Sequence, residues 1–300
     1  MKIKAKNTWV YIISLSLFLG YGCTPEKDMS QLKSEIESVF ENGNGKFALA
    51  FKNIESGEEM LINAHEDFHA ASTMKTPVMI EVYKQSAEGK FSMSDSVVIK
   101  NEFASIVDGS TYSLSVGDDT EADLYKNIGE KRTIADLTYD MIIVSSNLAT
   151  NLIIEYVDAK KVTQTMRNLG ASDIEVLRGV EDQKAFDAGM SNSTTAYDLM
   201  VIFEKLAKGE VVNKMASEAM INTLLDQKYN EIIPYHLPED VKVAHKTGVI
   251  NGLHHDSGIV FLPDGRKYSL VLLSKELEDF DIGTALLADV SKMVYDFMVN

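Results

Sequence analysis

The chain has 300 residues, 45% of them hydrophobic and 25% charged, a composition that suits a globular protein with a sizeable core. Its 29 basic side chains are outnumbered by 45 acidic ones, for a net charge of −16. Phosphate backbones bind concentrated basic surfaces, so nucleic acid is excluded as a partner and the acidic excess reads as a solvated exterior.

At the N-terminus, Lys2, Lys4 and Lys6 precede an apolar run from Trp9 to Leu19, followed by Gly20-Tyr21-Gly22-Cys23. A basic start, a short apolar core and small residues before a cut site predict a secretory signal over residues 1–22. Eleven apolar residues are too few to cross a bilayer, which needs about 20. Cys23 is the single cysteine, so no intramolecular disulfide can form. Placed after Gly22 at the end of an apolar run, it resembles a bacterial lipobox, departing from it at Gly20 and Tyr21. That resemblance implies a diacylglycerol on the Cys23 thiol, membrane attachment through that lipid, and an exported protein, periplasmic or at the cell surface. Residues 23–28 then form a tether. Loss of the three lysines with the signal leaves a mature chain of net charge −19.

Residues 29–300 read as one domain. Met29, Leu32, Ile36, Val39 and Phe40 recur at helical spacing over 29–42, and "NGNG" ends that helix. Phe47, Leu49 and Phe51 alternate before a Ser56-Gly57 turn, which predicts a hairpin. From Ser72 to about Lys208 the pattern is helical with interruptions. Strand-like runs follow at 241–247, 257–263 and 267–274, the last two divided by Pro263-Asp264-Gly265, and a helix over 282–298 closes the chain. Strands at both ends most simply pair into one antiparallel sheet of about five strands. The terminal helices then pack on that sheet, and a helical lobe, roughly residues 75–215, lies between its two groups of strands. This is an α+β fold whose site falls where lobe and sheet meet.

The stretch "HEDFHAASTMK" holds two catalytic patterns of incompatible chemistry. His65-Glu66-Asp67-Phe68-His69 matches the H-E-x-x-H of zinc peptidases, which needs a helix to bring both imidazoles to one face. Here it follows a predicted strand, with no apolar helix face and no third ligand on the same element, so it reads as a loop and no metal is expected. Ser72-Thr73-Met74-Lys75 matches S-x-x-K. That pattern is weak alone, since Ser30-Gln31-Leu32-Lys33 repeats it on the first amphipathic helix. Around Ser72, however, Ala70, Ala71 and the run Pro77–Tyr83 predict a buried helix. Its N-terminal N–H groups suit an oxyanion, and Lys75 lies one turn along the same face. A lysine buried beside another cation loses affinity for its proton and can act as a base.

Two further elements follow in order: Ser145-Ser146-Asn147 at the start of a helix, and Lys246-Thr247-Gly248 at the end of an apolar strand. S-x-x-K, S-x-N and K-T-G in that order are the signature of penicillin-recognising serine enzymes, and "SSNLATN" resembles the S-D-N-x-A-A-N run of class A β-lactamases. Over nearly its whole mature length the chain resembles that family, whose fold order matches the one read above. The resemblance implies Ser72 as nucleophile, Lys75 as its proton acceptor or relay, and Ser145 as proton donor to the leaving β-lactam nitrogen. It makes Asn147 the holder of the substrate's side-chain amide and Lys246 and Thr247 the binders of its carboxylate. Gly248 belongs to the same substrate-binding strand, and the N–H groups of Ser72 and Val249 would form the oxyanion hole.

Glu181 stands 36 residues beyond Ser145, where the family places the glutamate that positions the hydrolytic water. Departures surround it. One extra residue separates Arg178 from Glu181, and the asparagine that shares the water in E-x-x-L-N is missing from Glu181-Asp182-Gln183-Lys184-Ala185. Asn192 or Ser193 replaces the acid that pairs with the loop arginine, leaving Asp187 as a substitute partner for Arg178. Ser146 replaces an aspartate. No arginine follows K-T-G, so His254 is the available second carboxylate anchor, while the trio His254-His255-Asp256 reads as structural rather than metal-binding. Residues 101–114 lengthen the span between Ser72 and Ser145 and bring Tyr112 to the pocket edge. The expected activity is β-lactam hydrolysis through an acyl-serine, by a monomer that needs no cofactor. The alternatives are a cell-wall DD-peptidase or esterase, and a lipoprotein that binds penicillin or muropeptides without turnover.

Overall fold

The structure is a computed structural model that describes residues 28–300; the signal, Cys23 and the tether up to residue 27 lie outside the described residues. The predicted sheet is present. Strands β1 (Lys46–Asn53), β2 (Glu59–Ile62), β3 (Lys242–Ile250), β4 (Leu253–Phe261) and β5 (Lys267–Lys275) form one antiparallel sheet in the order β2-β1-β5-β4-β3. The first and last thirds of the chain therefore meet at the β1–β5 ladder, where Ala50 pairs with Val271.

Side-chain alternation divides the strands between two cores. Phe47, Leu49 and Phe51 of β1, with Tyr268, Leu270 and Leu272 of β5, face helices α1 (Met29–Glu41) and α8 (Phe280–Val299), and meet Leu32, Ile36, Leu287, Val290 and Val294 there. The intervening Ala48, Ala50, Val271 and Leu273 face the helical lobe. Small residues on that face admit helix α6 (Ala196–Lys208), which lies across β1, β4 and β5. Each core Leu or Phe removed from water contributes about 1.5–3 kcal/mol.

The lobe holds α2 (Lys75–Ala87), α3 (Ile134–Ile143), α4 (Asn147–Val157), α5 (Ala159–Asn168) and α7 (Lys214–Leu225) besides α6. Polar residues start several of them: Thr133 caps α3, Ser146 caps α4 and Thr195 caps α6, each accepting a backbone N–H of the first turn. Helix α2, buried on nearly all sides, is the axis of the lobe.

Three details differ from the sequence reading. Strands β3 and β4 are longer than predicted and join through a tight turn at Asn251-Gly252, because the buried polar residues His254, His255 and Asp256 find partners inside the protein and stay in the ladder. β4 stops at Phe261, ahead of Pro263, which has no N–H to donate. The lobe is also less purely helical: Phe103-Ala104 pairs with Thr111-Tyr112 as a small hairpin, and Ser96–Val98 pairs with Lys131–Thr133.

Candidate active site

Ser72 lies in a 3₁₀ turn, Ala71–Met74, that leads directly into α2. Strand β3 closes against this turn. A Cβ at position 248 would lie 3.1 Å from the backbone nitrogens of both Ser72 and Thr73, so any side chain there would push strand and turn apart, and glycine suits the approach. Ala71 (φ 44°) and Ser145 (φ 59°) both hold left-handed backbone that L-residues rarely adopt. Strain of this kind, of order 1–3 kcal/mol per residue, collects at functional sites.

Lys75 and Lys246 are both fully buried, and both reach Ser145. Lys75 Nζ donates to Ser145 Oγ (3.1 Å), to the Ser145 carbonyl (2.7 Å) and to Asn147 Oδ1 (3.0 Å). Lys246 Nζ donates to the same Ser145 Oγ (3.1 Å) and to the Thr247 carbonyl (2.8 Å). Thus the three protons of a Lys75 ammonium are occupied on the lobe side, and the Ser72 hydroxyl is not among their acceptors. With both lone pairs of Ser145 Oγ filled, its own proton is free to point into the cleft. Burial brings Lys75 down from 10.5 to about 7, against the opposing pull of the Asp119 and Glu181 carboxylates. Burial, then the neighbouring Lys75 charge, pushes Lys246 well below its ordinary value, while Asp256 pulls it back.

Glu181 meets the same network. Its Oε1 accepts from Asn147 Nδ2 (2.9 Å) and its Oε2 from the Ser115 N–H (3.2 Å). Burial raises its pKa above the ordinary 4.5; those two hydrogen bonds oppose the rise and the nearby Asp119 adds to it. Asn147 therefore bridges Lys75 and Glu181. A cavity of about 450 Å³ contains Ser72, Asn147 and Glu181, walled by Val180, Phe186 and Ile250. A second, of about 380 Å³, opens on the other side of Ser72 and is bounded by Ser145, Thr247, Val249 and His254. The structure thus brings Ser72, Lys75, Ser145, Asn147, Glu181, Lys246, Thr247, Gly248 and Val249 to one cleft between lobe and sheet.

Several supports carry no sequence motif. Asp119 accepts from the Asn147 and Leu148 N–H groups (3.0 and 2.8 Å) and from the Tyr125 hydroxyl (2.8 Å), placing a carboxylate at the N-terminus of α4. His255 is fully buried. It receives the Ser274 N–H at Nδ1 (3.1 Å) and so donates from Nε2 to the carbonyl of His69 (3.0 Å), bracing the segment that delivers Ser72. Burial lowers its pKa to about 4, which keeps it neutral.

Two partners expected from the sequence are corrected. Asp187 does not pair with Arg178: it accepts from Gln183, while the Arg178 guanidinium donates to the carbonyls of Met190 (3.0 Å) and Gly179 (2.9 Å). The buried Asn192 amide ties its own end of that loop to the other, accepting from the Leu177 and Arg178 N–H groups and donating to the Arg178 carbonyl. A carboxylate could not make that donation. His254 is not a cationic anchor either. Its Nδ1 binds Thr284 Oγ1 (2.8 Å), its ring stacks on Phe280, and burial lowers its pKa. Asp256 completes the trio structurally, paired with the buried His245 (2.9 Å) and accepting the Ile233 N–H (3.0 Å). The H-E-x-x-H residues fall in a turn and a two-residue strand, with His65 against Tyr197 and His69 Nδ1 accepting the Ala71 N–H. Without a helix, their spacing puts no shared face beneath the two rings.

Residues 31–298 match the profile of the family described as "Beta-lactamase enzyme family". The chain belongs to that family. Among curated relatives, a beta-lactamase of Bacteroides uniformis is 26% identical over 288 residues, covering 91% of this chain and 93% of the relative. Beta-lactamase VEB-1 of Pseudomonas aeruginosa is 21% identical over 312 residues and covers both chains fully. Of solved structures, the TLA-1 extended-spectrum beta-lactamase superposes with a TM-score of 0.80 at 22% identity, covering 91% of this chain and all of that one. PBP-A does so with a TM-score of 0.77 at 24% identity, covering 92% and 98%. The α+β architecture is that of the class A β-lactamase fold, and the family is one of serine enzymes.

Proposed function

We propose that the protein hydrolyses the amide bond of β-lactam rings through an acyl-enzyme on Ser72. The observation that carries this is the convergence of two buried lysines, one of them with its pKa lowered to about 7, on the hydroxyl of Ser145 beside Ser72. In its neutral form Lys75 takes the proton as Ser72 Oγ attacks the lactam carbonyl carbon. The N–H groups of Ser72 and Val249 receive the oxyanion as the tetrahedral intermediate forms. The C–N bond then breaks. The ring nitrogen takes the inward-facing proton of Ser145, which is restored from the adjoining lysine ammonium. Lys246 and Thr247 hold the substrate carboxylate, and Asn147 holds its side-chain amide. Glu181 removes a proton from water, whose oxygen attacks the ester carbonyl; as the ester C–O bond breaks, that proton passes from Glu181 to Ser72 Oγ, which regenerates both groups.

Relatives named as beta-lactamases support this reading, as does a point mutant of PBP-A solved as an acyl-enzyme complex with penicillin G. A chromogenic cephalosporin together with mass spectrometry tests it: ring opening with a transient adduct on Ser72 is expected, and Ser72→Ala abolishes both. A stable adduct without turnover would instead identify a penicillin-binding protein, and no adduct at all would sink the acyl-serine mechanism. We also propose that residues 1–22 direct export and that Cys23 carries the lipid. The sequence of that segment supports this, and loss of lipid labelling and of membrane retention in Cys23→Ala tests it.

A further inference from the structure

We propose that residues 101–115 form a strap that positions Glu181 for deacylation, with Asp182 as its buried anchor; this rests on the acyl-Ser72 reading above. Glu181 holds left-handed backbone (φ 62°) in a loop whose arginine hydrogen-bonds to the Met190 and Gly179 carbonyls, with its charge near Asp182. Something else must hold so strained a residue in place.

On its N-terminal side, Val180 is pinned to Asn151 of α4. Its N–H donates to Asn151 Oδ1 (2.6 Å), and its carbonyl accepts from Asn151 Nδ2 (3.1 Å) and from the Tyr112 hydroxyl of the strap (3.3 Å). On its C-terminal side, Asp182 is only 1% exposed. Its carboxylate accepts from the Ser105 hydroxyl (2.8 Å), the Ile106 N–H (2.9 Å) and the Ala185 N–H (3.2 Å). Two of those three donors belong to the strap. Glu181 itself receives the Ser115 N–H from the end of the strap, and Lys184 reaches back to Asp108 and Ser110 (2.8 and 2.6 Å).

The strap is rigid enough to do this. Asn101 and Leu114 exchange two hydrogen bonds across its base (3.0 and 2.8 Å), Phe103 pairs with Tyr112, and Phe103 and Leu114 are buried in the lobe core. A buried carboxylate is stable only with its donors in place. Removing the strap's donors therefore releases Asp182, and with it the neighbouring Glu181 carboxylate. The hydrogen bonds of Ser105, Tyr112 and Asp182 run to the strap, the Glu181 loop and Asn151 rather than to Ser72 or Lys75; they are positioning residues whose effect falls on the water-activating step.

The test compares wild type, Ser105→Ala, Asp182→Asn and Ser105→Thr with benzylpenicillin, following formation and decay of the Ser72 adduct by mass spectrometry alongside thermal unfolding. A misplacement of about 1 Å costs a catalytic group about 10²-fold, so decay is expected to slow by about tenfold in Ser105→Ala and about 10²-fold in Asp182→Asn. Acylation stays near wild type, kcat and KM fall together, kcat/KM holds, and Ser105→Thr restores decay. Ser105→Ala keeps both backbone donors to Asp182, so it stands in should Asp182→Asn fail to fold. Wild-type decay in Ser105→Ala overturns the strap, as does loss of acylation and decay in equal proportion. A wild-type adduct that never decays also overturns it while leaving acylation intact. Absence of any wild-type adduct strikes the acyl-enzyme reading instead.

Discussion

Glu181→Gln separates capture from release. Glutamate accepts at two oxygens, from Asn147 Nδ2 and from the Ser115 N–H; an amide accepts at only one. Ser115 is exposed and can turn to water, so the glutamine oxygen keeps Asn147. The structural cost then stays near the lower end of the roughly 1–3 kcal/mol for an unpaired donor. What disappears is the base, worth about 10²–10⁴-fold, or about 3–5 kcal/mol at 1.36 kcal/mol per tenfold. In the proposed mechanism acylation runs through Lys75, whose ammonium the Glu181 charge helps to stabilise. Without that charge Lys75 falls further below about 7, and more of it is neutral at neutral pH. The expected result in stopped flow is a stoichiometric burst of ring opening, at least as fast as in wild type, followed by a stall with the adduct held on Ser72. The wild-type deacylation rate should also lose activity in acid at a pH above the ordinary glutamate value, since burial raises Glu181, and that limb should vanish in the variant. Steady turnover at the wild-type rate, or loss of the burst together with turnover, would refute the assignment.

Three other outcomes follow from the same geometry. Acylation needs neutral Lys75, so its rate constant is expected to rise as pH increases through about 7; a flat pre-steady-state profile across neutral pH would move the base elsewhere. His255 drops from 6.5 to about 4 on folding, so the native state binds fewer protons between those values. Stability is then lost as pH falls from 6.5 towards 4, by about 3 kcal/mol, and urea midpoints of His255→Gln should show a shallower fall. Asn192→Ala strips three backbone groups of their partners, at about 1–3 kcal/mol for a buried group left unpaired; an unchanged urea midpoint would deny Asn192 its bracing role.

Much of the fold is legible because its signals are local. Helix α1 ends where "NGNG" predicts, the Ser56-Gly57 and Pro263-Asp264-Gly265 turns are in place, apolar alternation marks β1 and a strand-like run marks β5. Three spaced motifs likewise anticipate that Ser72, Ser145 and Lys246 meet. The second S-x-x-K also behaves as read: Ser30 is exposed on α1 and Lys33 pairs with Glu37. The β4 start at Leu253 was not legible, since His-His-Asp is polar and is satisfied inside the core by Thr284, His69, Ser274, Ile233 and His245, which the fold brings in from other parts of the chain.

The sequence by itself therefore determined the architecture and marked the groups proposed to react, since turn residues, periodicity and motif spacing act over a few neighbours. The tertiary structure decided how those groups are tuned and held. Burial sets Lys75 below its ordinary value, and burial with the neighbouring Lys75 charge does the same for Lys246. Asp119, 28 residues before Asn147, supplies the carboxylate absent at Ser146. Ser105 and Asp182, 77 residues apart, meet beside Glu181. Desolvation and hydrogen bonding depend on what surrounds an atom in space, and no spacing along the chain encodes that.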